Sequence, residues 1–122
     1  MPIVDVTIVV GRDEKVAAGL TQTLADGVGC VLNSAHGQTW VRLHLLAPDC
    51  YAENNSSLGS IDLPVFVVLL TRQLPARSQL DDAITKLTQV ISEATGRPSD
   101  KVHIEYASSA VGRVAFGGEL VE

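Results

Sequence analysis

The chain has 122 residues and a mass of 12.9 kDa, enough for one sizeable core but not for two independent ones. With 46% hydrophobic and 19% charged residues it reads as globular rather than disordered. A formal net charge of −5 and a pI near 5 argue against duplex DNA or an anionic membrane as a partner, so any basic site must be local.

Ile3 to Val10 is β-branched almost throughout and reads as a strand that Gly11 ends, with Asp5 and Thr7 as polar interruptions. From Asp13, apolar residues at Val16, Leu20, Leu24 and Val28 form a helical stripe, weakened by Gly19 and Gly27. A turn-rich stretch, Asn33 to Gly37, precedes Trp40 to Leu46, where Trp40, Arg42, His44 and Leu46 alternate with Val41, Leu43 and Leu45 as a second strand. The connection from Ala47 to Asp62 carries Asn54, Asn55, Ser56, Ser57 and Gly59 and reads as a loop or short hairpin.

Pro64 opens the apolar run Val65 to Leu70, whose lack of alternation predicts a strand covered on both faces. Ser78, with Asp81 three residues on, reads as the N-cap of a second helix striped by Leu80, Ile84, Leu87, Ile91 and Ala94 and stopped by Gly96 and Pro98. Val102, Ile104 and Tyr106 alternate with His103 and Glu105 as a fourth strand, and a glycine-punctuated hairpin closes the chain.

These elements form one domain over residues 1–122. It contains pseudo-repeats at about 2–46 and 64–107 and a C-terminal hairpin at about 111–121. Pro2 to Pro64 spans 62 positions and Val41 to Val102 spans 61, which points to a duplication. The expected fold class is α+β, an α/β sandwich of two tandem βαβ units. Parallel strands within each unit give a four-stranded sheet with both helices on one face. The uncovered face then predicts a closed homo-oligomer.

Cys30 and Cys50 lack CxxC spacing, and no His pair stands at zinc-finger intervals, so both are read as reduced thiols and no metal site is expected. The N-terminal stretch has no basic region, and no run reaches the ~18 apolar residues of a spanning helix. A cytoplasmic setting without membrane attachment is the expectation.

Pro2 directly follows the initiator Met at the start of a strand. Removal of Met1 leaves a free secondary amine, and burial and nearby cations would lower its pKa toward neutrality, fitting it as a base, acid or nucleophile. Arg12, Arg42, Arg72 and Arg77 are the candidate cations. Taken singly, Arg12 reads more readily as a solvated loop charge, and Arg77 as a surface charge before the second helix. Arg42, in mid-strand, must face solvent, a partner or a pocket. His103 and Glu105 share one strand face and either line a pocket or meet solvent. Trp40 and Phe116 either wall a pocket or fill a subunit interface. His36 reads as an exposed loop residue.

The order and spacing of these features resemble the tautomerase superfamily. Pro2-Ile3 through Gly11-Arg12, Val41-Arg42-Leu43 and Phe116-Gly117-Gly118-Glu119-Leu120 look like 4-oxalocrotonate tautomerase. Ala47-Pro48-Asp49 and Ser99 to Tyr106 are similar to the macrophage migration inhibitory factor branch, and Thr71-Arg72 through Arg77 resembles malonate semialdehyde decarboxylase. The resemblance covers nearly the whole chain. It implies a homotrimer, no metal or organic cofactor, active sites near subunit boundaries, Pro2 as general base or acid, and Arg12, Arg42 and Arg72 as binders of a small carboxylate-bearing substrate.

There are departures from the family pattern. His103 and Glu105 stand where the inhibitory-factor branch has a tyrosine and an asparagine. Gln38 replaces the decarboxylase's water-activating aspartate, and Val114 falls where the short tautomerase has a phenylalanine, with Phe116 two positions on. The hairpin has no obvious match to the dehalogenase glutamate. The expected function is a cofactor-independent tautomerase or isomerase of a small enol or 2-hydroxy-dienoate acid. A decarboxylase or dehalogenase of a three-carbon acid, and a non-enzymatic trimeric binding protein, are the alternatives.

Overall fold

The computed structural model describes residues 2–57 and 63–122. Strands β1 (Ile3–Val9), β2 (Trp40–Leu46), β3 (Val65–Leu70) and β4 (Val102–Tyr106) form one sheet in the order β2-β1-β3-β4. β1 and β2 run parallel, β3 and β4 run parallel, and the inner pair β1 and β3 is antiparallel. Each parallel pair is joined through a helix, α1 (Leu20–Val31) or α2 (Arg77–Thr95). A two-residue ladder, β5 (Ala115–Phe116) with β6 (Glu119–Leu120), turns through Gly117 and Gly118. Both of these glycines have positive φ, as a two-residue hairpin turn demands.

One face of the sheet supplies the core. Val4, Val6 and Ile8 of β1, Val65, Val67 and Leu69 of β3, and Val102 of β4 pack with Leu20, Leu24 and Val28 of α1 and Leu87 and Ile91 of α2. Both helices therefore lie on the same face, as the crossover argument expects, and they also pack against each other. No helix among the described residues is long and apolar enough to cross a membrane.

The sequence reading needs correcting at four places. The first helix does not begin near Asp13: Gly19 sits in the left-handed conformation at its N-cap, and Val16 packs on the core from the preceding loop. Ser78 does not cap α2; Ala76 is the N-cap residue, so Ser78 already lies in the first turn. β3 is covered on one face only, with Val65, Val67 and Leu69 buried while Phe66 is exposed and Val68 and Leu70 are half-buried. Its continuous apolar run reflects an open sheet face, not a second layer within this chain. That open face is not uniformly apolar, because Asp5, Thr7, Arg42, His44, His103 and Glu105 share it with Ile3, Phe66, Val68 and Leu70.

The connection after β2 contains a short 3₁₀ turn, Pro48–Cys50. The expected loop at its far end falls partly on residues 58–62, outside the described residues, and so does Met1. Gly96 ends α2 in the left-handed conformation, its N–H donating to the Ser92 carbonyl.

Candidate active site

Strand direction gathers the first candidates. β1 and β2 begin, and β3 and β4 finish, at the same end of the sheet. Pro2 is buried there, just ahead of β1, and its carbonyl accepts the Trp40 N–H at 3.0 Å. Arg72 follows β3 at this end. The C-terminal segment is tied alongside by the Ala110 N–H on the Thr71 carbonyl at 3.0 Å and the Val111 N–H on the Arg72 carbonyl at 3.2 Å. Phe116 then meets Trp40 edge to face, with ring centroids 5.4 Å apart.

Arg72, Phe116, Glu119, Leu120, Val121 and Glu122 line a cavity of about 190 Å³. Pro2 lies at the same end of the sheet but outside that lining. A larger groove of about 540 Å³ runs along the outer side of α1, lined in part by Asp26, Cys30 and His36, and touches none of the expected catalytic or binding residues. Both cysteines are free and exposed.

Arg12 is not brought to this end. It follows β1 and so stands roughly 23 Å from Pro2, the length of a seven-residue strand at about 3.3 Å per residue. Its side chain is 81% exposed, and among the described residues its acidic partner is Asp49 at 4.0 Å. A carboxylate at Pro2 can meet an Arg12 only from another copy of the chain.

Arg42 lies on the open sheet face, paired in register with Asp5. The Arg42 Nε donates to Asp5 Oδ1 at 2.6 Å and its Nη2 donates to Oδ2 at 2.8 Å, a planar fork on a carboxylate. These bonds hold the Asp5 carboxyl below its usual range, against a smaller opposing effect of burial, and push the Arg42 guanidinium higher still. His44 Nε2 stands 3.7 Å from Asp5 Oδ1. Much of Arg42's binding capacity is thus committed within the chain.

His103 and Glu105 face the same side from the far edge strand, with the His103 ring 5.4 Å from Phe66. His103 lies level with Thr7 in mid-sheet, whereas Glu105, penultimate in β4, lies level with Asp5 and Arg42 toward the Pro2 end, on the opposite edge strand from Arg42. Arg77 pairs with Asp81 one turn along α2 at 3.3 Å.

Sequence reasoning missed several participants. Glu119 and Glu122 join Arg72 around the cavity, and only the folding back of the hairpin places them there. Tyr106, expected only as a strand residue, has a buried hydroxyl without a partner among the described residues, and burial raises its pKa. Buried Arg97 pairs with the more exposed Glu14, 83 residues away in sequence, a separation no local pattern announces.

Among the described residues no group of three or more His, Cys, Asp or Glu side chains is placed to hold a metal ion.

No protein-family model and no curated protein matches the chain. Solved structures do. The macrophage migration inhibitory factor of Trichinella spiralis superposes with a TM-score of 0.74 at 16% identity, over 97% of this chain and 98% of that one. An FG41 malonate semialdehyde decarboxylase inhibited by 3-bromopropiolate gives 0.69 at 16% identity, over 94% and 88%. A fused 4-OT, described as a symmetric trimer, gives 0.68 at 18% identity, over 98% and 94%. The chain has the fold of the tautomerase superfamily.

Proposed function

We propose that this chain is a cytoplasmic, cofactor-independent tautomerase, assembled as a homotrimer, that moves a proton between oxygen and carbon of a small enol or 2-hydroxy-dienoate acid. The observation that carries the reading is the buried Pro2 at the sheet end where Arg72, Trp40 and Phe116 converge. Freed of Met1, Pro2 presents a secondary amine. Burial and a guanidinium nearby both penalise its protonated form, which leaves it neutral enough to act as a base.

In ketonisation the neutral amine accepts the enol O–H proton. As the C=O π bond forms, the C=C π pair takes a proton from the resulting ammonium at carbon, so the O–H bond is exchanged for a C–H bond and the amine is regenerated. Arg72 holds the substrate carboxylate from within the chain. Arg12 of an adjoining copy, and the Nη1 edge of Arg42 that Asp5 leaves unused, stabilise the developing enolate oxygen or a second carboxylate. Trp40 and Phe116 wall the site and limit access of water.

A second reading is supported by Glu119 and Glu122 beside Arg72. A carboxylate next to a carboxylate-binding arginine is suited to activating water for the hydration that dehalogenation of a three-carbon acid requires, and the same arginine would hold the carboxylate that a decarboxylase releases as CO2.

The test is turnover of 2-hydroxymuconate and enol phenylpyruvate by wild type and Pro2→Ala, with 3-halo-acrylates and malonate semialdehyde as competing substrates. The proposal predicts that ketonisation is lost in Pro2→Ala while assembly persists. Full ketonisation by that variant rejects it, and release of halide or acetaldehyde as the dominant activity favours the second reading.

A further inference from the structure

The turn after β1 is held more firmly than an exposed loop requires. Gly11 to Glu14 closes on itself twice: the Glu14 N–H donates to the Gly11 carbonyl at 3.1 Å, and the Gly11 N–H donates to Glu14 Oε1 at 2.8 Å. Asp13, within it, has φ of 64°, a left-handed conformation that a non-glycine residue keeps only where its surroundings enforce it.

A further restraint on this turn comes from the end of α2. Arg97, just beyond α2, has a side chain only 9% exposed. Its Nη1 donates to Glu14 Oε2 at 2.9 Å, and its Nη2 donates to Glu14 Oε1 at 2.8 Å and to the Val9 carbonyl at 2.9 Å. One guanidinium thus joins the end of β1, the turn and the end of α2.

Arg12 sits inside this frame. It lies between the two residues that close the turn, yet its own side chain is 81% exposed and, among the described residues, pairs only with Asp49, at 4.0 Å. A fixed backbone carrying an open guanidinium is the arrangement that presents a charge in a set direction at little further ordering cost.

We infer that Glu14 and Arg97 are positioning residues for Arg12, fixing the turn so that its guanidinium is offered to a substrate carboxylate in the site of an adjoining copy. The inference rests on the reading of Arg12 as a substrate-binding residue. Neither Glu14 nor Arg97 needs to touch substrate.

The test is a double-mutant cycle on the full-length protein with 2-hydroxymuconate as the probe: wild type, Arg12→Ala, Glu14→Gln and the double variant, each with KM and kcat. Glu14→Gln raises KM on the order of tenfold, and Arg12→Ala does likewise, but the double variant is no worse than Arg12→Ala, because the clamp has nothing left to position. A KM effect of Glu14→Gln that multiplies with that of Arg12→Ala overturns the inference, since it marks a general structural role. So does an unchanged KM in Glu14→Gln beside a raised one in Arg12→Ala. If Arg12→Ala itself leaves KM unchanged, the failure lies in the substrate-binding reading of Arg12, and the inference falls with it. Should Glu14→Gln not fold, Arg97→Lys, which keeps the cation but loses the fork, runs the same cycle.

Discussion

Arg12, Arg42, Arg72 and Arg97 carry the same guanidinium but meet four different surroundings. Arg12 stands open to solvent, Arg42 is forked onto Asp5, Arg72 lines the cavity, and Arg97 is buried against Glu14. Their strand and loop positions mark the first three as candidates in the sequence. What separates them is the partner each finds across the sheet, and that depends on register.

Arg97 shows the limit most clearly, because it stands between Gly96 and Pro98, where local pattern reads only a helix stop. Its bonds to Glu14, aided by the Gly11 N–H, hold the Glu14 carboxyl below its ordinary value of 4.5, against the opposing effect of burial. A carboxyl whose folded pKa is depressed adds stability that is fully present above its unfolded value and is lost as pH falls through the folded one. Urea unfolding of wild type and Glu14→Gln should therefore differ by a constant amount from about pH 6 upward, with the gap closing below about pH 4.5. An equal gap at pH 7 and pH 3 contradicts this role for the ion pair.

At the scale of elements, apolar periodicity locates three strands and both helices, because the core face recurs every second residue in a strand and every three to four in a helix, while β3 shows as a continuous apolar run and the terminal hairpin as glycine punctuation. Start points were less legible. Val16 has the right spacing to extend α1, yet Gly19 redirects the backbone and leaves Val16 packing from a loop.

Gly27 looked like a weakness in the helix and has a packing reason instead. A Cβ built there would lie 2.5 Å from Val90 Cγ1 of α2, so the glycine sets how closely the two helices approach. Gly27→Ala gains about 1 kcal/mol in helix propensity but overpacks against a stiff β-branched side chain at a cost of about 1 to 3 kcal/mol. We expect net destabilisation in thermal unfolding, and expect Gly27→Ala to be better tolerated in a Val90→Ala background. A higher melting temperature for Gly27→Ala alone would show that the helices can part at no cost.

Across the whole molecule, the tandem βαβ order puts Pro2, Arg72 and Trp40 at one end of the sheet, where the hairpin adds Phe116. The placement of the first three follows from strand direction once the four strands and their crossovers are known. The split of Arg12 to the opposite end follows from the same topology, and it is why the proposed site needs more than one copy of the chain. Placement of Glu119 and Glu122 was not legible, since the hairpin has no amphipathic face to orient it and is fixed by backbone bonds to Thr71 and Arg72.

The central claim is that the amine of Pro2 transfers the proton. The most direct test compares ketonisation of 2-hydroxymuconate by two preparations of the same sequence, one shown by intact mass to begin at Pro2 and one retaining a residue before it. The account predicts turnover by the first alone, with both assembling alike. Equal turnover by the blocked preparation would contradict it, because an amide nitrogen cannot accept the proton.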